Sequence, residues 1–193
     1  MGAPGLFEFA RRALADGATV TSARTLCTAM AYGQKDLFTS LLAAGAPANG
    51  NTKAYLASDL PLSWIVYPSL AEKAGLKVSE AEARTLTIEL REDLLSQGAD
   101  VNRLKGASSI LVTTLASGDP ASAAWFVEKG ATVDKLALDT LRVRVSHPAA
   151  QKKYQKNFLE LLRVLLPDAP ELNPIPEMPD LSAPTPRAPR RKR

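Results

Sequence analysis

The stretch Leu94-Leu95-Ser96-Gln97-Gly98-Ala99-Asp100-Val101-Asn102 decides the fold, because it joins the end of a helix to a turn that recurs along the chain. The same Gly-Ala pair follows an apolar segment at Gly17, Gly45 and Gly130, and the intervals between the four glycines are 28, 53 and 32 residues. A glycine directly after a helix adopts the left-handed backbone that satisfies the last helical carbonyl groups. Recurrence at this spacing is typical of stacked helical repeats.

A second glycine lies twelve residues before Gly17, Gly45 and Gly130, and we predict a short helix with an apolar stripe between each pair. Further helices over residues 24–32 and 109–117 complete two of these units as helix, turn, helix and loop. The residues that we expect in the core are Phe9, Leu14, Leu26, Phe38, Leu41, Leu42, Leu94, Leu95, Leu111, Phe126, Leu161 and Leu165.

Over about residues 5–169 the chain resembles the ankyrin-repeat family. The family ending Leu-Leu-x-x-Gly-Ala-x-Val-Asn is matched at residues 94–102. The family start Thr-Pro-Leu-His is replaced by Arg24-Thr25-Leu26-Cys27, Leu60-Pro61-Leu62-Ser63 and Ser109-Ile110-Leu111-Val112, and none of these keeps the histidine. The resemblance implies an all-α fold, an ankyrin-like helical solenoid of about five helix pairs with divergent repeats.

The third unit is longer than its neighbours, because the ankyrin consensus is about 33 residues. We predict that its first helix runs from Leu60 through Trp64 to Val66 and is broken at Pro68. Ser79 and Glu82 are spaced as a capping box that opens a long second helix.

The extra residues of the third unit, around 64–80, therefore lie between its two helices. Three interpretations remain open for this insertion. It is a tolerated loop without a role, an internal brace with Trp64 in the core, or a protrusion for a partner built from Trp64, Tyr67 and residues 67–78.

The chain changes character near residue 170, where prolines become frequent and the sequence ends in Arg187-Ala188-Pro189-Arg190-Arg191-Lys192-Arg193. We predict an ankyrin-like repeat domain over residues 1–169 and a Pro-rich, basic, disordered tail over residues 170–193. Residues 1–141 hold 13 Lys/Arg against 15 Asp/Glu, whereas residues 142–193 hold 11 against 5. The net charge of +4 therefore belongs to the C-terminal part, and the repeats are not a basic surface.

In ankyrin-like arrays the loops between repeats and the first helices line a concave binding surface, so the resemblance implies a non-catalytic protein–protein interaction module. Tyr55 and Arg103 are the expected anchors, because aromatic and arginine side chains dominate interface energetics. Asn102 and Asp134 are expected to hold their turns through side chain–backbone bonds. The full predicted partner-binding set is Tyr55, Arg103, Lys53, Asn51, Lys105, Lys135, Trp64 and Tyr67, with Asn49 among the other loop residues.

Two other functions fit the sequence. An inhibitor or immunity-type protein that neutralises a cognate toxin or enzyme would also be small, without catalytic residues and equipped with an unusual protrusion. Alternatively, the basic residues of Arg187–Arg193 would make the chain a nucleic-acid or membrane-surface adaptor.

No catalytic motif is visible, and we expect no enzyme activity, cofactor or metal. The single histidine, His147, has no second histidine with which to share a metal, and the single cysteine, Cys27, falls at a core position where an inert thiol is expected. Carboxylates that folding brings together would not be visible at this level. With no signal peptide or membrane-spanning segment in view, we expect a cytoplasmic protein that is monomeric when free.

Overall fold

The computed structural model describes residues 3–50, 60–105, 108–146, 159–162 and 165. This part of the chain is mostly helical, so the all-α prediction is confirmed. Residues 159–162 are also helical. The helices are α1 (Ala3–Ala15), α2 (Ala23–Ala31), α3 (Lys35–Ala43), α4 (Pro68–Lys73), α5 (Glu80–Ser96), α6 (Ile110–Ser117), α7 (Pro120–Glu128) and α8 (Lys135–Ser146), with a 3₁₀ turn at Pro61–Ser63. Two short antiparallel strands, β1 (Leu104–Lys105) and β2 (Ser108–Ser109), pair Leu104 with Ser109 and Lys105 with Ser108.

The recurring Gly-Ala turn has the same geometry in all four units. Each glycine has a left-handed φ between 79° and 89°. The alanine that follows donates its amide to the carbonyl five residues earlier, which is the bond expected when a left-handed residue ends a helix. These bonds are Ala18 to Ala13, Ala46 to Leu41, Ala99 to Leu94 and Ala131 to Phe126, all of 2.9–3.0 Å.

Side-chain caps begin all four helices from α5 to α8, and at α6 the cap is Ser109, whose Oγ accepts the Val112 amide at 3.2 Å. The capping box of α5 is confirmed, since the Ser79 amide donates to Glu82 Oε2 at 2.7 Å and the Glu82 amide donates to Ser79 Oγ at 3.2 Å. Asp119 caps α7 and Asp134 caps α8 by accepting the amides of Ser122 and Ala137. Asp134 thus holds its turn as the sequence predicted.

The helices pack in two rows, mainly against the units next to them along the chain. In one row α2 contacts the 3₁₀ turn, the 3₁₀ turn contacts α6, and α6 contacts α8. In the other row α1 contacts α3, and α3 contacts α5. The buried apolar residues of these elements form one continuous core cluster.

The predicted core is confirmed at every residue except Phe9. Leu26, Phe38, Leu41, Leu94, Leu111, Phe126 and Leu161 are buried, and Leu14, Leu42, Leu95 and Leu165 are partly buried against them. The prediction for Phe9 is wrong, because its side chain is 66% exposed. Phe7 is buried instead, at 4% exposed, and its ring meets the Tyr32 ring edge-on with 5.2 Å between the ring centres. Phe7, Ala10 and Leu14 form the inner face of α1, and Phe9 lies about 200° around the helix from Phe7.

The insertion departs from the prediction at both of its helix boundaries. The predicted first helix over Leu60–Val66 is wrong, because only the 3₁₀ turn forms and the backbone is extended at Trp64 and at Tyr67. Pro68 begins α4 instead of breaking a helix. A proline disfavours helical geometry at the residue before it and is well tolerated at the first helical position, so Pro68 explains the extended backbone at Tyr67 and the start of α4.

Residues 66–71 of the insertion are bonded to and packed against the flanking helices. The Val66 amide donates to Thr87 Oγ1 at 2.9 Å, and the Tyr67 amide donates to the Ala31 carbonyl at 3.0 Å. Val66 and Ala71 are buried, and both lie beside Gly33 at the end of α2. This segment therefore joins α2 to α5 as a brace.

Candidate functional site

A groove of about 430 Å³ opens between the insertion, α5 and the start of α7, and we call it the α5–α7 groove. Helix α5 supplies residues spaced three and four apart, which lie on one face of a helix. The lining residues are Ile65, Val66 and Pro68 from the insertion; Glu80, Ala83, Arg84, Thr87, Ile88 and Arg91 from α5; and Gly118, Asp119, Ala121, Ser122 and Trp125 from the start of α7.

Arg91 lies at the base of this groove and is only 2% exposed. Its Nη1 donates to Ser122 Oγ at 2.9 Å, and its Nη2 donates to the Trp64 carbonyl at 3.3 Å. The guanidinium carbon also lies 4.9 Å from the centre of the Phe126 ring and 5.5 Å from that of Trp125. One side chain therefore connects α5 to both the insertion and α7.

The other charged groups of the groove are engaged with partners. Arg84 Nη2 lies 3.9 Å from Glu80 Oε2 in an exposed pair, and Asp119 Oδ1 accepts the Ser122 amide at 3.1 Å as the cap of α7. Among the described residues, no carboxylate comes within 4.0 Å of the Arg91 guanidinium. Its Nε is buried and has no hydrogen-bond partner in that part of the chain.

Arg91 nevertheless remains charged at neutral pH. Burial lowers the pKa of Arg91 to about 10, and the charge of Asp119 opposes this shift from beyond ion-pair distance. A value near 10 leaves the guanidinium protonated at pH 7. Among the described residues, the Arg91 guanidinium therefore carries its positive charge with no carboxylate in direct contact.

The loops that end the units form a second surface, and asparagines tie them together in one repeated pattern. Asn49 Nδ2 donates to the Gly98 carbonyl at 2.8 Å, and Asn49 Oδ1 accepts the Asp100 amide at 2.7 Å. Asn102 makes the same two bonds to the Gly130 carbonyl, at 3.1 Å, and the Thr132 amide, at 2.6 Å. The side-chain amides of both asparagines are thus engaged within the protein. We expected Asn102 to hold a turn, but it links successive units.

The described members of the predicted partner-binding set lie on different elements of the chain. Arg103 is half-buried after the second bridged loop, and Lys135 is exposed at the start of α8. Trp64 is partly buried against the core and Tyr67 is 41% exposed; these two bracket the groove-lining Ile65 and Val66. Only the backbone of Lys105 is described, in β1. Asn51, Lys53, Tyr55, His147 and residues 170–193 lie outside the described residues.

The groove residues Arg91, Thr87 and Ser122 were missed by the sequence reasoning. The signal was present in the phase of α5, where the buried residues are Ala83, Thr87, Leu90, Arg91 and Leu94. A charged residue in the buried register of an amphipathic helix indicates either a structural bond or a ligand.

Within the described ranges, no group of three or more His, Cys, Asp or Glu side chains is arranged to hold a metal ion. None of the helices described there has both the length and the apolar character needed to cross a membrane. Comparisons of the chain with protein-family models, with curated proteins and with solved structures give no match.

Proposed function

We propose that this chain is a non-catalytic protein–protein interaction module, built as an ankyrin-like helical solenoid, which binds a segment of a partner protein in the α5–α7 groove. The solenoid is supported by the two rows of helices that contact neighbouring units, and by the four Gly-Ala turns with identical bonds. The Asn49 and Asn102 bridges add a third repeated feature, since each reaches the same two positions of the next unit.

The α5–α7 groove is the observation that carries the binding function. Its walls include Ile65, Pro68, Ile88 and Trp125, and an exposed Arg84–Glu80 pair lies at its edge. Apolar walls with an aromatic residue and a polar rim are what recognition grooves for protein segments use. The described residues that line it include no histidine or cysteine, and the Ser122 hydroxyl accepts a bond from Arg91, so no Ser–His or Cys–His pair of a nucleophilic site is assembled there.

Replacing Ile88 with glutamate tests the groove. Ile88 lines the groove, is 43% exposed and lies outside the core, so Ile88→Glu should leave stability nearly unchanged while it places a charge on an apolar wall. We expect partner proteins captured from a source lysate to be retained about tenfold less by Ile88→Glu than by the wild type, a difference of roughly 1.4 kcal/mol.

Leu104→Glu is the matched control, because it introduces the same charge at an exposed aliphatic residue on β1. Its captured proteins should match those of the wild type. If Leu104→Glu abolished capture and Ile88→Glu did not, the partner would bind the loop surface near Arg103, and the groove would be rejected as the site.

The asparagine bridges give a separate test of the proposed solenoid. Asn102→Ala removes two bonds between the third and fourth units and should lower the free energy of unfolding by about 1–2 kcal/mol. Asn49→Ala should have an effect of similar size, because its bonds are the same. Thr132→Ala serves as the control, since it keeps the backbone amide that Asn102 accepts. Urea denaturation measures the loss of stability, and hydrogen exchange of the Thr132 amide, which should be faster in Asn102→Ala, measures the loss of the bridge itself. An unchanged exchange rate would show that the bridge does not couple the units.

A further inference from the structure

Among the described residues, two carboxylates and two guanidiniums line the α5–α7 groove, and only Glu80 and Arg84 form an ion pair. Glu80 faces Arg84 at the edge, and the Asp119 carboxylate is bonded to the α7 amide of Ser122, where it offsets the positive end of the helix. Arg91 is left with neutral partners only, a hydroxyl and a carbonyl. Because its surroundings are apolar and aromatic, its charge is weakly screened and acts on whatever occupies the groove.

We infer that the protein segment bound in the groove places an aspartate or glutamate side chain against the Arg91 guanidinium. This inference rests on the proposed function and adds the chemistry of the partner to it. A carboxylate is the natural acceptor for a guanidinium, and a charge-assisted bond formed away from water is stronger than the neutral bonds that Arg91 makes now. A buried arginine at the centre of an apolar site is also typical of the residues that dominate binding.

The geometry gives the carboxylate a route to Arg91. The acceptor of Nη1 is the Ser122 hydroxyl, and Ser122 itself lines the groove. Rotation of this short side chain frees Nη1 for an incoming oxygen. Ile88 and Trp125 flank the same space, so the residues beside the acid should be apolar.

A purely structural role is the competing explanation, because Arg91 also joins α5 to the Trp64 carbonyl and to Ser122. The two roles predict opposite results. A structural Arg91 is required for stability and is indifferent to the charge of the bound segment. A binding Arg91 is held in place without an ion pair, and an apolar replacement of similar length should preserve the folded state or stabilise it.

The test begins with selection from a display library of random peptides against the full-length chain, with Ile88→Glu as the counter-selected protein. We expect the selected peptides to share an aspartate or glutamate at one position beside apolar residues. The strongest peptide is then synthesised with capped ends, together with a version in which that residue is replaced by its amide. On the wild-type chain, the amide version should bind about tenfold more weakly or worse.

Arg91→Met and Arg12→Met are the matched protein variants, since each removes one arginine and Arg12 lies on α1, outside the groove lining. Arg91→Met should weaken binding of the acidic peptide as much as the amide exchange does. Arg91→Met should then bind the acidic peptide and its amide version equally well. Arg12→Met, which loses only an exposed pair with Glu8, should change binding by less than about threefold. If Arg91→Met does not fold, the amide exchange on the wild-type chain and the shift of the Arg91 Nε–H resonance on peptide binding give the result without it.

Three outcomes distinguish the inference about the acidic residue from the proposed function. Acid-dependent binding that is lost in Arg91→Met, whose urea midpoint is unchanged or raised, supports the inference. Selected peptides that bind the groove without an acidic residue overturn it and leave the proposed function standing. A library that yields no peptide sensitive to Ile88→Glu overturns the proposed function, and the inference with it.

Discussion

Replacing Phe126 with alanine should lower the free energy of unfolding by about 3–5 kcal/mol. Phe126 is fully buried in α7, contacts the Trp125 ring edge-on at 5.1 Å and carries the Arg91 guanidinium over its face. Removing the ring leaves a cavity between elements that three independent sets of bonds hold in place, namely the α7 cap, the Ala131 turn and the Arg91 contacts. The site therefore has little freedom to collapse, and the lost contacts are not replaced.

Phe9→Ala is the control, because it makes the same chemical change at a phenylalanine that is 66% exposed. It should alter stability by no more than about 0.5 kcal/mol. Urea denaturation followed by circular dichroism measures both variants, with equal slopes of the transition indicating that only stability has changed. Comparable losses for the two variants would mean that Phe9 belongs to the core after all and that the described face of α1 is incorrect.

Gly33→Val should destabilise the protein by about 2–5 kcal/mol. Gly33 has a φ of +66°, a left-handed conformation that costs a side chain about 1–2 kcal/mol. A Cβ at this position would also lie 3.3 Å from Val66 Cγ1 and 3.4 Å from Leu86 Cδ2, and overpacking of this kind adds roughly 1–3 kcal/mol. The second contribution arises because Val66 of the insertion and Leu86 of α5 both pack on the end of α2.

Gly45→Val separates the two contributions. Gly45 has a φ of +89°, but a Cβ there would meet nothing within 4 Å, so this variant reports the backbone strain alone. The difference between Gly33→Val and Gly45→Val in chemical denaturation measures how firmly the insertion is packed. Equal decreases in the free energy of unfolding for the two variants would show that the insertion moves away at little cost and does not brace α2 against α5.

The position of Arg91 shows why the candidate site was not found from the sequence. Helical phase places Arg91 among the buried residues of α5, but phase does not say which groups surround it. Ser122 and the Trp64 carbonyl lie 31 and 27 residues away along the chain. Residues this distant are brought together only when neighbouring units pack, and no local pattern encodes that distance.

The sequence by itself determined the features that depend on nearby residues. The Gly-Ala turns, the Ser79–Glu82 capping box, the Asp134 cap and most of the core follow from helical period and from hydrogen bonds that close within a few residues. Tertiary structure alone decided which phenylalanine of α1 is buried, how residues 60–78 fold, where the asparagine side chains bond and which groups of the described chain surround Arg91. Each of these depends on contacts with another part of the chain. Helix α3 covers only one face of α1, and Thr87 and Ala31 hold the backbone of residues 66 and 67. The groove forms only where residues 65–68, α5 and α7 meet.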